Sequence, residues 1–307
     1  MMNWMTDNVE ILGHKTINRI IVPATHDSGA YNIDYQNPTG GAKFRRLSRF
    51  INCCCCFQGL VNNWTKTQNM SIYTQLVSGI RFFDLRLSVD NNIFYVTHRF
   101  TCIYLERVFY DIIRFNQEHP NEIIFLTITF DYNHRQLNTE EVRDNLREYL
   151  RERIGHLLIL NDNNNRYPSY NQVLATNKRI CLYKTNVLPS SIQTWSRLNI
   201  PWIDTNNPDI KYIYLTDEYE KMSSNNSDYN VISFTVTPSA RQIRNNIIKG
   251  LVLPCCLQRE NIQSISDPIH DKLQLFIETY GVDKLSAIMF DYPTDELITA
   301  VIDLNGL

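Results

Sequence analysis

Short, continuously apolar runs alternate with stretches of helical periodicity along the whole chain. INRIIVPAT (Ile17–Thr25) reads as a buried strand that runs into the polar HDSG. GIRFFDLRL (Gly79–Leu87) and NIFYVTH (Asn92–His98) read as two more strands. Leu105, Val108, Phe109, Ile112 and Ile113 then share one face of a helix that ends near His119-Pro120. EIIFLTITF (Glu122–Phe130) is a fourth strand. A helix from Asn138 follows it, with Glu141 as capping partner and Val142, Leu146, Tyr149 and Leu150 inside. RICLYK (179–184), KYIYLT (211–216), VISFTV (231–236) and SAIMFDY (286–292) complete about eight apolar strands. A helix from Ser239 and another through Leu273, Phe276, Ile277 and Tyr280 lie between the later ones.

Apolar strands separated by helices or long crossovers point to a parallel sheet covered on its outside. The expected fold class is α/β, a (β/α) barrel in a single domain over 1–307, with a doubly wound open sheet as the alternative. No glycine-rich phosphate loop follows the first strand, which weighs against a nucleotide-binding open sheet. Neither repeats nor a Pro- or Ser-rich linker divide the chain.

Composition narrows the function classes. The 307 residues carry 30 basic and 32 acidic side chains, a formal charge of −2, which excludes bulk electrostatic binding of nucleic acid. Aromatics make up 11% of the chain, unlike a disordered tail. No apolar run approaches the roughly 18 residues that span a bilayer, and the N-terminal MMNWMTDNVEILGHKT has no secretory h-region. Of the 8 cysteines, Cys53, Cys54, Cys55 and Cys56 are consecutive, Cys255 and Cys256 adjacent, and Cys102 and Cys181 alone in apolar sequence. That spacing suits neither a disulfide framework nor a tetrahedral zinc site, and Cys102 and Cys181 read as small buried hydrophobes.

Polar residues recur where the strands end. His26 and Asp27 follow the first, Asp84 and Arg86 end the second, and His98 ends the third. Thr127 and Thr129 lie on the fourth, Lys184 ends the fifth, Asp217 and Tyr219 follow the sixth, and Asp291 ends the last. In a (β/α) barrel all these ends open on one mouth, so the residues converge. Two histidines with carboxylate neighbours can divide proton removal from proton donation, and an arginine between them offers a fork for phosphate oxygens. The set suits phosphodiester cleavage. Neither a serine elbow nor HExxH is present to support acyl transfer or zinc hydrolysis.

These residues carry a resemblance. IVPATHDSGAYN, QLVSGIRFFDLRLS and FYVTHRF, in that order, resemble the X domain of phosphatidylinositol-specific phospholipase C. The likeness is to the bacterial enzymes and to eukaryotic single-domain X-domain proteins. HPNEIIFLTITFDYN and YLTDEYEK resemble later parts of the same family, so the likeness runs from about Ile17 to Asp291. It implies a distorted TIM barrel that cleaves phosphatidylinositol to diacylglycerol and inositol 1,2-cyclic phosphate. His26 would be the general base on the inositol 2-hydroxyl and His98 the general acid for the diacylglycerol oxygen. Arg86 would stabilise charge on the phosphoryl oxygens. Asp27 and Asp84 would orient this machinery, and Asp291 would support His26. Asp217 and Tyr219 would hold the inositol ring.

Calcium-dependent relatives carry an acid-x-acid pair on the second strand. Here that pair is Asp84-Leu85-Arg86, and a guanidinium in place of the second ligand would repel calcium, so neither metal nor other cofactor is expected. Two positions depart from the bacterial pattern: Thr129 stands where those enzymes carry lysine, and Lys184 where they carry arginine. Both concern inositol contacts. The competing classes are a phosphoinositide-binding or scaffolding protein that keeps the fold, and a glycerophosphodiesterase. The paired histidines favour an enzyme over the first, and Arg86 argues against the second.

The segment KFRRLSRFINCCCCFQGLVNNW, in an insert at about 40–65, interleaves Lys43, Arg45, Arg46 and Arg49 with apolar residues ahead of the four cysteines. A basic amphipathic stretch suits a membrane interface, and adjacent cysteines suit S-acylation. The expected placement is peripheral, on the cytoplasmic face of a membrane that holds the lipid substrate.

Overall fold

The structure, a computed structural model, describes residues 1–38, 59, 62–131, 139–161, 166–183, 194–195, 197–225, 227–239, 241–245 and 261–307. The insert's core with Cys53–Cys56, and also Lys184 and Cys255-Cys256, lie outside the described residues. Among those described, seven strands run parallel: β1 (Val22–Thr25), β3 (Phe82–Asp90), β6 (Ile124–Phe130), β7 (Ile180–Tyr183), β8 (Leu198–Asn199), β9 (Tyr229–Phe234) and β10 (Ala287–Phe290). Their order is β7-β6-β3-β1-β10-β9-β8. Among the described residues, the seam between β7 and the segment leading to β8 carries one parallel bridge, Tyr183 to Trp195. Among the described residues the sheet is therefore barrel-like without continuous hydrogen-bonded closure.

Aromatic side chains show that the sheet is rolled. Tyr229 of β9 lies 4.8 Å from Tyr183 of β7, 5.1 Å from Phe125 of β6 and 5.8 Å from Phe82 of β3, ring centre to ring centre. Strands from opposite ends of the sheet order thus meet across one interior. In parallel strands, residues in register share a face. Phe82 pairs with Phe125, Asp84 with Thr127 and Arg86 with Thr129, so the aromatic floor gives way to polar groups one and two steps further along. This alternation sets the site on the core.

Past the barrel, β3 continues into an antiparallel extension with β4 (Ile93–His98), β5 (Phe100–Tyr104) and β2 (Asp34–Pro38). Asn91 and Asn92, both left-handed with φ of 48° and 62°, make the two-residue turn that matches strand twist. Leu87 pairs with Val96, so the hairpin folds back and returns His98 towards the level of Asp84 and Arg86. His98 therefore reaches the mouth from an antiparallel return arm. It does not end a barrel strand, as the sequence pattern had implied.

Two other expectations are corrected. KYIYLT is not a strand: it lies inside the helix Pro208–Lys221. Asn207 caps that helix by accepting from the N–H groups of Asp209 and Ile210, and Pro208 fixes its first turn. Lys211, Leu215, Thr216 and Tyr219 form its buried face while Ile213 points to solvent. The helix expected from Asn138 instead spans Glu140–Ile154, with Thr139 as the cap that accepts from Val142. Leu105–Glu118 forms the expected helix, burying Leu105, Val108, Phe109, Ile112 and Phe115. Leu273–Tyr280 is also helical, and Cys102 and Cys181 are buried free thiols.

Below the aromatic floor, Arg81 and Glu122 are both fully buried and paired at 2.7 Å. Glu122 also accepts from the Thr6 N–H and hydroxyl, while Arg81 donates to the carbonyls of Leu76, Ile80 and Met2. The pair joins the N-terminus to the starts of β3 and β6. Removing one partner strands the other charge. Glu122→Ala should lower unfolding free energy by about 3–5 kcal/mol in denaturant titration, and a loss below about 1 kcal/mol would contradict this role.

Candidate active site

The site gathers where β1, β4 and β10 end and along β3, where Asp84 and Arg86 lie inside the strand and do not end it as expected. His26 and Asp27 follow β1, Asp291 follows β10, and the β1–β10 ladder pairing Thr25 with Phe290 sets the two ends side by side. His26 Nδ1 lies 2.9 Å from Asp291 Oδ1. On its other side, Nε2 lies 2.8 Å from Arg86 Nη2 and 3.2 Å from Asp27 Oδ2. A guanidinium can only donate, so its contact with Nε2 requires a lone pair there, with the ring proton on Nδ1 and donated to Asp291. In this tautomer the Nε2 lone pair of His26 is the acceptor for Arg86.

His98 is held differently. Its Nδ1 donates to the backbone carbonyl of Thr65 at 2.7 Å, and its Nε2 faces Asp27 Oδ2 at 3.5 Å. The same Asp27 oxygen thus faces Nε2 of both rings. The two imidazoles differ in what their Nδ1 atoms meet, a carboxylate for His26 and a neutral carbonyl for His98.

Asp27 is the hub. It is 1% exposed, and its Oδ1 lies 2.8 Å from Arg86 Nε. Burial opposes its ionisation, yet Arg86, His26, His98 and Arg99 together pull its pKa down to about 2. Burial likewise disfavours a charged His26, but Asp27 and Asp291 outweigh it and raise its pKa. Arg86 is itself raised, burial being overcome by Asp27 and then Asp84, whose Oδ2 lies 3.5 Å from Nη2.

The backbone at these positions is strained. Asp27, Arg99 and Tyr292, at or just after His26, His98 and Asp291, are left-handed non-glycine residues with φ of 43°, 66° and 48°. Such conformations persist only where surroundings enforce them. The enforcing strap is Thr65–Gln68. Gln68 donates to the carbonyls of His26 and Phe290, Thr67 to that of Asp27, and Tyr292 donates its hydroxyl to Lys66 O and its N–H to Thr67 O.

Of the residues expected from sequence, His26, Asp27, Asp84, Arg86, His98 and Asp291 come together, and Thr129 is in register with Arg86 on the same face. Asp217 and Tyr219 do not join them. Asp217 is exposed and pairs with Lys221, while the buried Tyr219 donates its hydroxyl to Asp283 at 2.7 Å. Both ride on the helix that was read as a strand. In their place, the loop after β8 brings Trp202 to 4.9 Å from the His26 ring. The strand preceding that loop is two residues long, too short for a periodic signal.

His26, Asp27 and Asp84 present ligand atoms within 4.8 Å of one another, which a cation can in principle use. They do not fit one well here. The Arg86 guanidinium stands against both carboxylates, supplying the positive charge a metal would bring.

Fold and site together define a barrel-like α/β protein with a His–His–Arg–carboxylate mouth. No protein-family profile matches the chain. It is 24% identical to PI-PLC X domain-containing protein 3 of Danio rerio over 315 residues, covering 99% of this chain and 92% of that protein. It is 25% identical to PI-PLC X domain-containing protein 2 of Mus musculus over 320 residues, covering 99% and 88%. Among solved structures it resembles the phosphatidylinositol-specific phospholipase C of Listeria monocytogenes, with a TM-score of 0.70 at 18% identity over 99% of this chain and 98% of that one. The enzyme of Staphylococcus aureus gives 0.66 at 19% identity, over 100% and 98%. The chain is thus similar over its whole length to PI-PLC X domain-containing proteins, and its fold resembles that of the bacterial phospholipases.

The depressed pKa of Asp27 has a consequence for stability. A carboxyl held lower in the folded state contributes stability above its unfolded pKa and loses it as pH falls through the folded one. The protein should lose about 2 kcal/mol from this group between about pH 4 and pH 2, and Asp27→Asn should flatten that part of the pH–stability curve. An unchanged slope in the variant would contradict it.

Proposed function

We propose that the chain is a phosphodiesterase that cleaves phosphatidylinositol to diacylglycerol and inositol 1,2-cyclic phosphate, without calcium. The observation that carries this reading is the pair of imidazoles that face one Asp27 oxygen, His26 backed by the Asp291 carboxylate and His98 by the Thr65 carbonyl. His26 Nε2 takes the proton of the inositol 2-hydroxyl, whose oxygen forms a bond to the adjacent phosphorus. The bond from phosphorus to the diacylglycerol oxygen breaks, and that oxygen takes a proton from His98 Nε2. Asp291 stabilises the imidazolium formed at His26. Protonated Nε2 no longer accepts from Arg86, so the guanidinium turns to the phosphoryl oxygens as charge develops on them. Asp84 and Asp27 keep Arg86 in reach of both positions.

Phosphorus NMR of phosphatidylinositol turnover tests this directly. His26→Ala and His98→Ala should each lower turnover by about 10²–10⁴-fold while melting close to wild type. Turnover by the wild-type chain should survive EGTA, and Arg86→Asp should abolish it in chelator. A wild-type chain without turnover, or one that chelation silences and calcium restores, would overturn the reading.

No helix among the described residues is long and apolar enough to cross a membrane. A substrate that stays in the bilayer nevertheless calls for membrane contact, and we assign it to the insert at about 40–65, with S-acyl chains on Cys53, Cys54, Cys55 and Cys56 at a cytoplasmic membrane face. One acyl chain holds reversibly and two hold firmly. Single Cys→Ser changes should therefore barely alter membrane fractionation, while the quadruple change should release the protein and remove hydroxylamine-sensitive acyl label. A soluble, unlabelled wild type would refute the anchor.

A further inference from the structure

Lys211, in the first turn of the helix Pro208–Lys221, is fully buried, and its Nζ has no hydrogen-bond partner among the described residues. An ammonium withdrawn from water without an oxygen partner is costly, so its surroundings must supply something else. Burial pushes its pKa down to about 8, against the opposing pull of Asp291 and Asp204. What Nζ meets is the indole of Trp202, 4.6 Å from the ring centre. A cation on an indole face is the strongest of the side-chain cation–π contacts, and desolvation strengthens it.

Trp202 is the residue whose ring lies 4.9 Å from His26, tilted by 33°. Two further contacts fix it: the indole N–H donates to Asp204 Oδ1 at 2.8 Å, and the Trp202 carbonyl accepts from the Tyr214 hydroxyl at 3.2 Å. Asp204 is on the same loop and solvent-exposed, and Tyr214 restrains only the backbone. Lys211 is the buried contact on the ring itself.

We infer that Lys211 is a positioning residue whose buried ammonium fixes the Trp202 indole against His26, and so sets the wall of the entrance through which substrate reaches the base. This rests on the phosphodiesterase reading for its kinetic consequence, though not for its structural one. A lysine that merely filled space would be replaced by methionine without effect on either ring.

The test uses the full chain without substrate first. An indole this close shifts the His26 ring protons upfield in NMR. Lys211→Met should move those resonances most of the way towards their position in Trp202→Leu, while Lys211→Arg, which keeps a cation on the ring, should leave them near wild type. With phosphatidylinositol, Lys211→Met should raise KM about tenfold and change kcat less than about threefold, and Lys211→Arg should restore KM. Unmoved His26 resonances in Lys211→Met, or a fall in kcat at constant KM, would overturn the inference. If the resonances move as expected but no chain turns over lipid, the positioning stands and the phosphodiesterase reading fails. Should Lys211→Met not fold, the Lys211 methylene shifts decide: they should lie upfield in wild type and relax in Trp202→Leu, and equal shifts in both would overturn the inference.

Discussion

Everything at the mouth depends on keeping one buried carboxylate ionised. Asp27 is almost completely removed from water, a position that by itself favours the neutral acid. It stays charged because Arg86 lies against one of its oxygens while the His26 and His98 rings face the other. Each of the three comes from a different place in the chain, and each is held there by a different device. The parallel β1–β3 pairing brings Arg86 alongside, the strand end itself presents His26, and the Asn91–Asn92 turn carries His98 back. A fixed negative charge thus acts as the register mark against which the other groups are aligned.

The same charge balance argues against a metal at this place. Asp27, Asp84 and Asp291 would together suit a hard cation if nothing else neutralised them. Arg86 meets two of the three and His26 the third, so a divalent ion would need to displace a guanidinium held between two carboxylates. The arginine also moves charge where a metal would hold it still. Its Nη2 is bonded to His26 while that ring is neutral, and loses the acceptor when the ring is protonated. In the proposed reaction, proton transfer to His26 and release of Arg86 would be one event.

Much of the candidate site was legible because its residues sit at the ends of β1 and β10 or inside β3, strands whose apolar character is local. His26, Asp27, Asp84, Arg86 and Asp291 follow from strand recognition and a shared mouth. His98 was assigned to the mouth for an incomplete reason, since alternation alone does not distinguish a barrel strand from a returning hairpin arm. Asp217 and Tyr219 were misplaced by the alternating Lys211–Thr216 segment, where Tyr-Ile-Tyr mimics a strand. The decisive signal was instead Asn207-Pro208, a helix start. Once that segment is helical, Lys211 turns inward and Trp202 takes the position beside His26. The strap Thr65–Gln68 had no local signature, because its partners are carbonyls tens to hundreds of residues away.

That strap explains why strained backbone is tolerated at three separate strand ends. Left-handed φ at Asp27, Arg99 and Tyr292 costs roughly 1–3 kcal/mol each if unsupported. Thr67 and Gln68 hold the first through the carbonyls of His26 and Asp27, Thr65 holds His98 immediately before the second, and Lys66 and Thr67 hold the third. Four consecutive residues therefore secure both imidazoles and the strand end that carries Asp291. Their position just after the cysteine insert gives the chain a short covalent path from the insert to His98. A pull or rotation delivered at Trp64 would reach the Thr65 carbonyl within one residue, and so the proton that His98 Nδ1 donates to it. The orientation of the His98 ring is in this way tied to backbone geometry, whereas that of His26 is tied to the Asp291 side chain.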